Sequence, residues 1–216
     1  MVKVKFCGIR RTEDIEAVNR LKPDLAGFVF AKSKRQVTKE QAAALKELLD
    51  PGIKTVAVLV NMPVEEAAAL ANTGIADLLQ LHGDEDAAYI AKLKTLTGAK
   101  IIKAIRLRSG DPEANAKLLT EAAQADYYLF DTFVADTYGG TGKTFSLSLL
   151  KGMRIDKPFF LAGGLDADNV AEIIGQVQMD VALRPNFYGI DVSGGIETDG
   201  VKDTIKMEAF MKAIRG

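Results

Sequence analysis

The 216-residue chain has a single cysteine and a single histidine. One cysteine closes no intramolecular disulfide, so a reduced, cytoplasmic setting is expected. One histidine without clustered cysteines or acids supplies no zinc-ligand set. Charge of one sign is also lacking: 28 lysines and arginines face 29 acids, a formal net charge of −1. That excludes a basic footprint for nucleic acid and a polybasic arm for an anionic membrane. Lys3 and Lys5 interrupt the N-terminal apolar run, which argues against a signal peptide. The apolar runs fall short of the ~18 residues that span a bilayer. No Gly/Ser/Pro linker, low-complexity tract or internal repeat divides the sequence.

Hydrophobic residues make up 48% and charged residues 26%, the balance of a globular chain. Short β-rich runs at 2–7, 25–30, 54–60, 77–82, 100–107, 127–132, 158–163 and 187–192 alternate with alanine- and leucine-rich helical stretches. Thr38–Leu49, Pro63–Ala71, Asp86–Leu96 and Asp203–Ile214 carry the helical spacing most plainly. Start signals precede several helices: Thr12 before Glu13, Thr38 before Glu40, and Pro63 ahead of Glu65 and Glu66. Helices of this length between strands imply parallel crossovers. Eight such units average 27 residues over the 216. The expected architecture is α/β, a single (β/α)8 barrel domain over residues 1–216, with an open doubly wound sheet as the alternative.

In such a barrel, chemistry belongs at the C-terminal ends of the strands and in the loops that follow. The search returns Cys7-Gly8, Ser33-Lys34-Arg35, His82-Gly83, Asp131-Thr132, Gly163-Gly164 and Ser193-Gly194-Gly195. Period-2 alternation places Val2, Val4 and Phe6 toward the outer helices and Lys5 and Cys7 inward. An ammonium two residues from the thiol is expected to lower its pKa from ~8.5 towards neutrality, making Cys7 a nucleophile or a base. Inert core packing is the plainer reading of a lone cysteine. Asp131 ends the sixth strand behind Tyr127-Tyr128-Leu129-Phe130, as a loop cap or as a partly buried proton donor. The first and sixth strands stand three steps apart in an eight-strand ring, so an acid and a base would face each other across the mouth.

Glycine pairs after strands seven and eight let backbone N–H groups approach an anion where barrels commonly hold phosphate, although turns need glycine anyway. Arg35, flanked by Lys32 and Lys34, is either solvated or a bidentate carboxylate contact. His82 is a hydrogen-bonded structural residue or part of the site. Gly139-Gly140-Thr141-Gly142-Lys143-Thr144 imitates a nucleotide P-loop, but Thr137 occupies the position where that motif requires glycine. A glycine-rich lid over the mouth fits better.

Together these residues are identified with a family. Lys5-Phe6-Cys7-Gly8-Ile9 resembles the Lys-Ile-Cys-Gly-Ile opening of the phosphoribosylanthranilate isomerases of tryptophan biosynthesis. The resemblance continues through Gly27-Phe28-Val29-Phe30 with Ser33 and Arg35, Gln80-Leu81-His82-Gly83, Asp131-Thr132, Gly139–Phe145 and Ala162-Gly163-Gly164-Leu165. It ends at Gly189-Ile190-Asp191-Val192-Ser193 and Lys202-Asp203. It implies a cofactor-free and metal-free barrel that converts N-(5-phosphoribosyl)anthranilate to 1-(2-carboxyphenylamino)-1-deoxyribulose 5-phosphate. Cys7 then looks like the general base and Asp131 like the general acid. Arg35 looks like the anthranilate-side contact and His82 like a further substrate contact. Gly163, Gly164, Ser193, Gly194 and Gly195 look like the phosphate cradle. Two departures stand out: Gly194 where the family usually has serine, and Ser146-Leu147 where it has Asp-Trp. The competing readings are another phosphosugar barrel enzyme, a silent barrel that binds a phosphorylated ligand, and an open-sheet nucleotide binder.

Overall fold

The computed structural model describes residues 1–107, 111–131 and 147–216. The glycine-rich lid, the P-loop imitation and Thr132 lie outside the described residues. Eight parallel strands close a barrel in chain order: β1 (Lys3–Cys7), β2 (Leu25–Val29), β3 (Lys54–Leu59), β4 (Leu78–Leu81), β5 (Lys100–Arg106), β6 (Tyr127–Asp131), β7 (Phe159–Ala162) and β8 (Phe187–Val192). Each lies within a residue or two of its predicted run. The ring closes by parallel pairing of β1 with β8, where Lys5 stands opposite Asp191.

The helices are α1 (Thr12–Leu21), α2 (Lys39–Leu48), α3 (Val64–Asn72), α4 (Ala87–Leu96), α5 (Pro112–Glu121), α6 (Val170–Met179) and α7 (Thr204–Arg215). Between β6 and β7 the described residues hold a 3-10 turn at Leu147–Leu150 in place of a full α-helix. Thr38 caps α2 as predicted, but its reciprocal partner is Gln41 rather than Glu40: Gln41 N–H donates to Thr38 Oγ1 and Thr38 N–H to Gln41 Oε1. Thr12 is already helical. The start of α1 is held instead by Asp14, which accepts from the N–H groups of Arg10 and Arg11. A carboxylate there reaches two orphan donors, which one hydroxyl at the first helical position cannot.

Period 2 sorts the core into two layers. Val4, Phe6, Leu79, Ile101, Ile105, Phe130 and Ile190 face the helices. Leu25, Val56, Leu78, Ile102, Leu129 and Phe160 fill the barrel. Three polar side chains interrupt that filling, Lys5, Gln80 and Asp191, all of them buried. Burying a charge without a partner is costly, and Lys5 meets the cost by donating to Asp191 at 2.9 Å.

A candidate active site at the barrel mouth

Cys7 ends β1 with its side chain inward, as the alternation predicts. Gly27 on β2 makes the room: a Cβ there would stand 3.1 Å from Cys7 Sγ and 3.2 Å from Lys5 Nζ. The expected fall in the thiol's pKa is not what this surrounding produces. Burial pushes the Cys7 thiol up, Lys5 and Lys202 pull it down, Asp191 pushes it further up, and burial prevails. The ammonium's charge is already shared with Asp191, so the thiol receives only part of its effect. Burial opposes the Lys5 charge too, but Asp191 and Cys7 outweigh it and hold the ammonium above its ordinary pKa.

Asp131 ends β6 half-buried, three strands from β1 by way of β7 and β8. His82 follows β4, and its Nε2 stands 3.7 Å from Asp131 Oδ2. Its Nδ1 lies 2.9 Å from Gln80 Nε2 inside the barrel. With the Gln80 amide so placed, Nδ1 is the acceptor and Nε2 carries the proton toward Asp131. The structure therefore brings His82 to the acid rather than to a separate position.

The loops after β7 and β8 are joined at backbone contact. Gly163 and Gly164 have φ of 96° and 64°, a conformation that side chains disfavour. A Cβ on Gly195 would fall 1.9 Å from Leu165 O, so the two loops meet only because that residue is glycine. Gly194 is different: its nearest neighbour in that direction is Arg35 Nη2 at 3.8 Å, room enough for the serine usual in the resembled family. The Ser193 hydroxyl, assigned by resemblance to the phosphate cradle, donates to Cys7 O at 3.0 Å.

Arg35 lies across these same ends. Its Nε and Nη2 donate to both oxygens of Glu197 at 2.7 and 2.6 Å. A Cβ on Gly8, whose φ is 82°, would stand 2.6 Å from Arg35 Cδ. Glu197 begins the short strand β9 (Glu197–Thr198), paired antiparallel to β10 (Val201–Lys202). Lys202 donates to Glu197 Oε1 at 2.8 Å and to Ser193 O at 2.9 Å. Burial works against the Glu197 carboxylate, yet bonds from Arg35 and Lys202 hold its pKa down to about 2. Burial brings the Lys202 ammonium below its ordinary pKa despite that pair. Sequence reading missed Glu197 altogether. Lys202 and Asp191 are visible in the sequence only inside the motif runs Lys202-Asp203 and Gly189–Ser193.

The opposite end of the barrel also has a cavity, of about 450 Å³, lined among others by Lys3, Asp24, Lys54 and Tyr127. It sits at the strand N-termini, where barrels carry stability rather than chemistry. Lys3 there is already tied to Asp24 at 2.7 Å. Among the described residues, no cluster of three histidines, cysteines or acids could hold a metal.

Residues 4–213 match the family model described as N-(5'phosphoribosyl)anthranilate (PRA) isomerase. The N-(5'-phosphoribosyl)anthranilate isomerase of Thermoanaerobacter sp. (strain X514) is 50% identical over the whole chain and 99% of that protein. That of Clostridium acetobutylicum is 44% identical over the whole chain and 98% of its own length. The crystal structure of phosphoribosyl anthranilate isomerase from Thermotoga maritima superposes with a TM-score of 0.81 at 33% identity, covering both chains in full. One such isomerase solved with reduced 1-(o-carboxyphenylamino)-1-deoxyribulose 5-phosphate gives 0.80 at 30%, again over both full lengths. An eight-strand barrel with an acid, a thiol and glycine loops at its mouth, matched along its length by these proteins, belongs to the N-(5'-phosphoribosyl)anthranilate isomerase family.

Proposed function

We propose that Cys7 and Asp131 are the base and acid with which this isomerase rearranges N-(5-phosphoribosyl)anthranilate to 1-(2-carboxyphenylamino)-1-deoxyribulose 5-phosphate in tryptophan biosynthesis. The observation that carries the reading is the pair itself, a thiol ending β1 and a carboxyl ending β6 beside the glycine loops of β7 and β8. Asp131 protonates the ribose ring oxygen, and the ring opens to a protonated Schiff base. The C2′ proton is then acidic, Cys7 takes it, and the enolamine tautomerises to the ketose. His82 Nε2 orients Asp131 and faces the sugar. Backbone N–H groups around Gly163, Gly164, Gly194 and Gly195 receive the phosphate, with Ser193 fixing Cys7 through its carbonyl. Arg35 contacts the anthranilate side through the part of its guanidinium that Glu197 leaves open. Residues 1–216 work as one unit on a small phosphorylated substrate, in the cytoplasm. The single cysteine suits that reducing compartment, and no described helix is long and apolar enough to cross a membrane.

The test is the rate of loss of phosphoribosylanthranilate fluorescence with the purified protein and its variants. Cys7→Ser and Asp131→Asn each keep shape and remove one proton-transfer group. Each is expected to lose ~10²–10⁴-fold in kcat with KM close to wild type. A Cys7→Ser enzyme within about threefold of wild-type kcat would return Cys7 to core packing.

A further inference from the structure

The proposed base on β1 and acid on β6 divide the ring into two arcs. The short arc, β7 and β8, carries the glycine loops; the long arc runs over β2 to β5. A substrate whose phosphate rests on the short arc extends its anthranilate end over the long one. Among the described residues, two arginines belong to that arc, Arg35 in the loop after β2 and Arg106 at the end of β5. Arg35 lies over Gly8 with two of its nitrogens on Glu197, which leaves only part of its guanidinium for the anthranilate side.

Arg106 is placed differently. It ends β5, two and four residues after Ala104 and Ile102, which both face the barrel interior, so it shares their face at the mouth. In the ladder it stands directly opposite Asp131. Its Nη2 donates to His82 O at 2.8 Å, a neutral acceptor that fixes the guanidinium without cancelling its charge. Among the described residues it makes no ion pair, and it is exposed to solvent.

We propose that Arg106 is a specificity-determining contact that holds the carboxylate of the anthranilate ring. A planar guanidinium with open N–H groups matches a carboxylate, and it stands beside the acid that serves the same substrate. The inference rests on the proposed placement of phosphate and acid. It adds a second cation on the ring side, which the motif residues do not include.

The experiment compares wild type, Arg106→Ala and Arg106→Lys. KM and kcat are measured with phosphoribosylanthranilate. Binding is titrated with the product and with the same molecule lacking the carboxylate, 1-phenylamino-1-deoxyribulose 5-phosphate. Arg106→Ala is expected to raise KM and weaken product binding about 10- to 100-fold, with kcat within about threefold. Affinity for the decarboxylated molecule should be unchanged, and Arg106→Lys should recover part of the loss. Equal losses on both molecules, or no loss on either, would overturn the assignment and leave Arg106 a solvated rim residue. A wild-type protein that turns over no phosphoribosylanthranilate would instead overturn the proposed function, so the two failures are distinct.

Discussion

Cys7 illustrates what one side chain owes to its strand and what it owes to the rest of the barrel. Its inward direction follows from alternation with Phe6, a local property readable from six residues. Its proton affinity does not, because burial and the competition of Asp191 for the Lys5 charge come from distant parts of the chain. The consequence is a pH profile. A base works only when deprotonated, and burial raises the thiol above its ordinary pKa, so the resting form near neutrality is the thiol. kcat/KM should therefore climb with pH through neutrality and keep climbing into the alkaline range, reporting the free enzyme's base. Steady-state rates from pH 6 to 10 check this. A plateau already reached at pH 6 would require a thiolate that the surroundings do not favour.

At the scale of elements, the strands and most helices were legible because periodicity is a local pattern, and seven of the eight expected helices are present as α-helix among the described residues. The strand-end rule located Cys7, Asp131, His82, Arg35 and the glycine loops, since it asks only where a strand stops. It missed Glu197, which lies beyond the last barrel strand in a small hairpin. Nothing in the sequence tells that this hairpin folds back over Arg35. The glycines after β8 carry the same lesson more sharply. Gly194 and Gly195 are indistinguishable in sequence, yet a Cβ is tolerated at one and would meet Leu165 O at 1.9 Å at the other. Gly194→Ser is expected to fold and to keep KM within a fewfold of wild type or lower it. Gly195→Ser should separate the loops after β7 and β8 and raise KM at least tenfold, or prevent folding. Thermal melts and KM values for the two variants decide it. Equal behaviour of the two would mean that the loops do not meet at backbone contact.

For the molecule as a whole, the two ends of the chain must meet for a mouth to exist. Two ion pairs between the chain's ends mark that closure: Lys5 with Asp191, buried inside the ring, and half-buried Arg35 with Glu197 above it, where Lys202 also bonds Glu197. Sequence reading finds the ring but neither of these two, because partners 186 and 162 residues apart leave no spacing signal. The upper group makes stability depend on pH in a calculable direction. The Glu197 pKa is about 2 in the folded chain against an ordinary 4.5. A carboxyl held low when folded contributes stability that is complete above the unfolded value and is lost as pH falls from 4.5 through about 2. Glu197→Gln removes that dependence and leaves Arg35 and the buried Lys202 ammonium without their carboxylate, at a cost on the order of 3 kcal/mol near neutrality. Urea midpoints at pH 7, 4, 3 and 2 should therefore show wild type well above the variant at pH 7 and the gap narrowing as acid protonates Glu197. At a temperature where the variant is still folded, its activity should nonetheless fall, and the loss should appear in KM, because Arg35 is no longer held over Gly8. A gap that stays constant from pH 7 to 2 would show that Glu197 is not held ionised by Arg35 and Lys202.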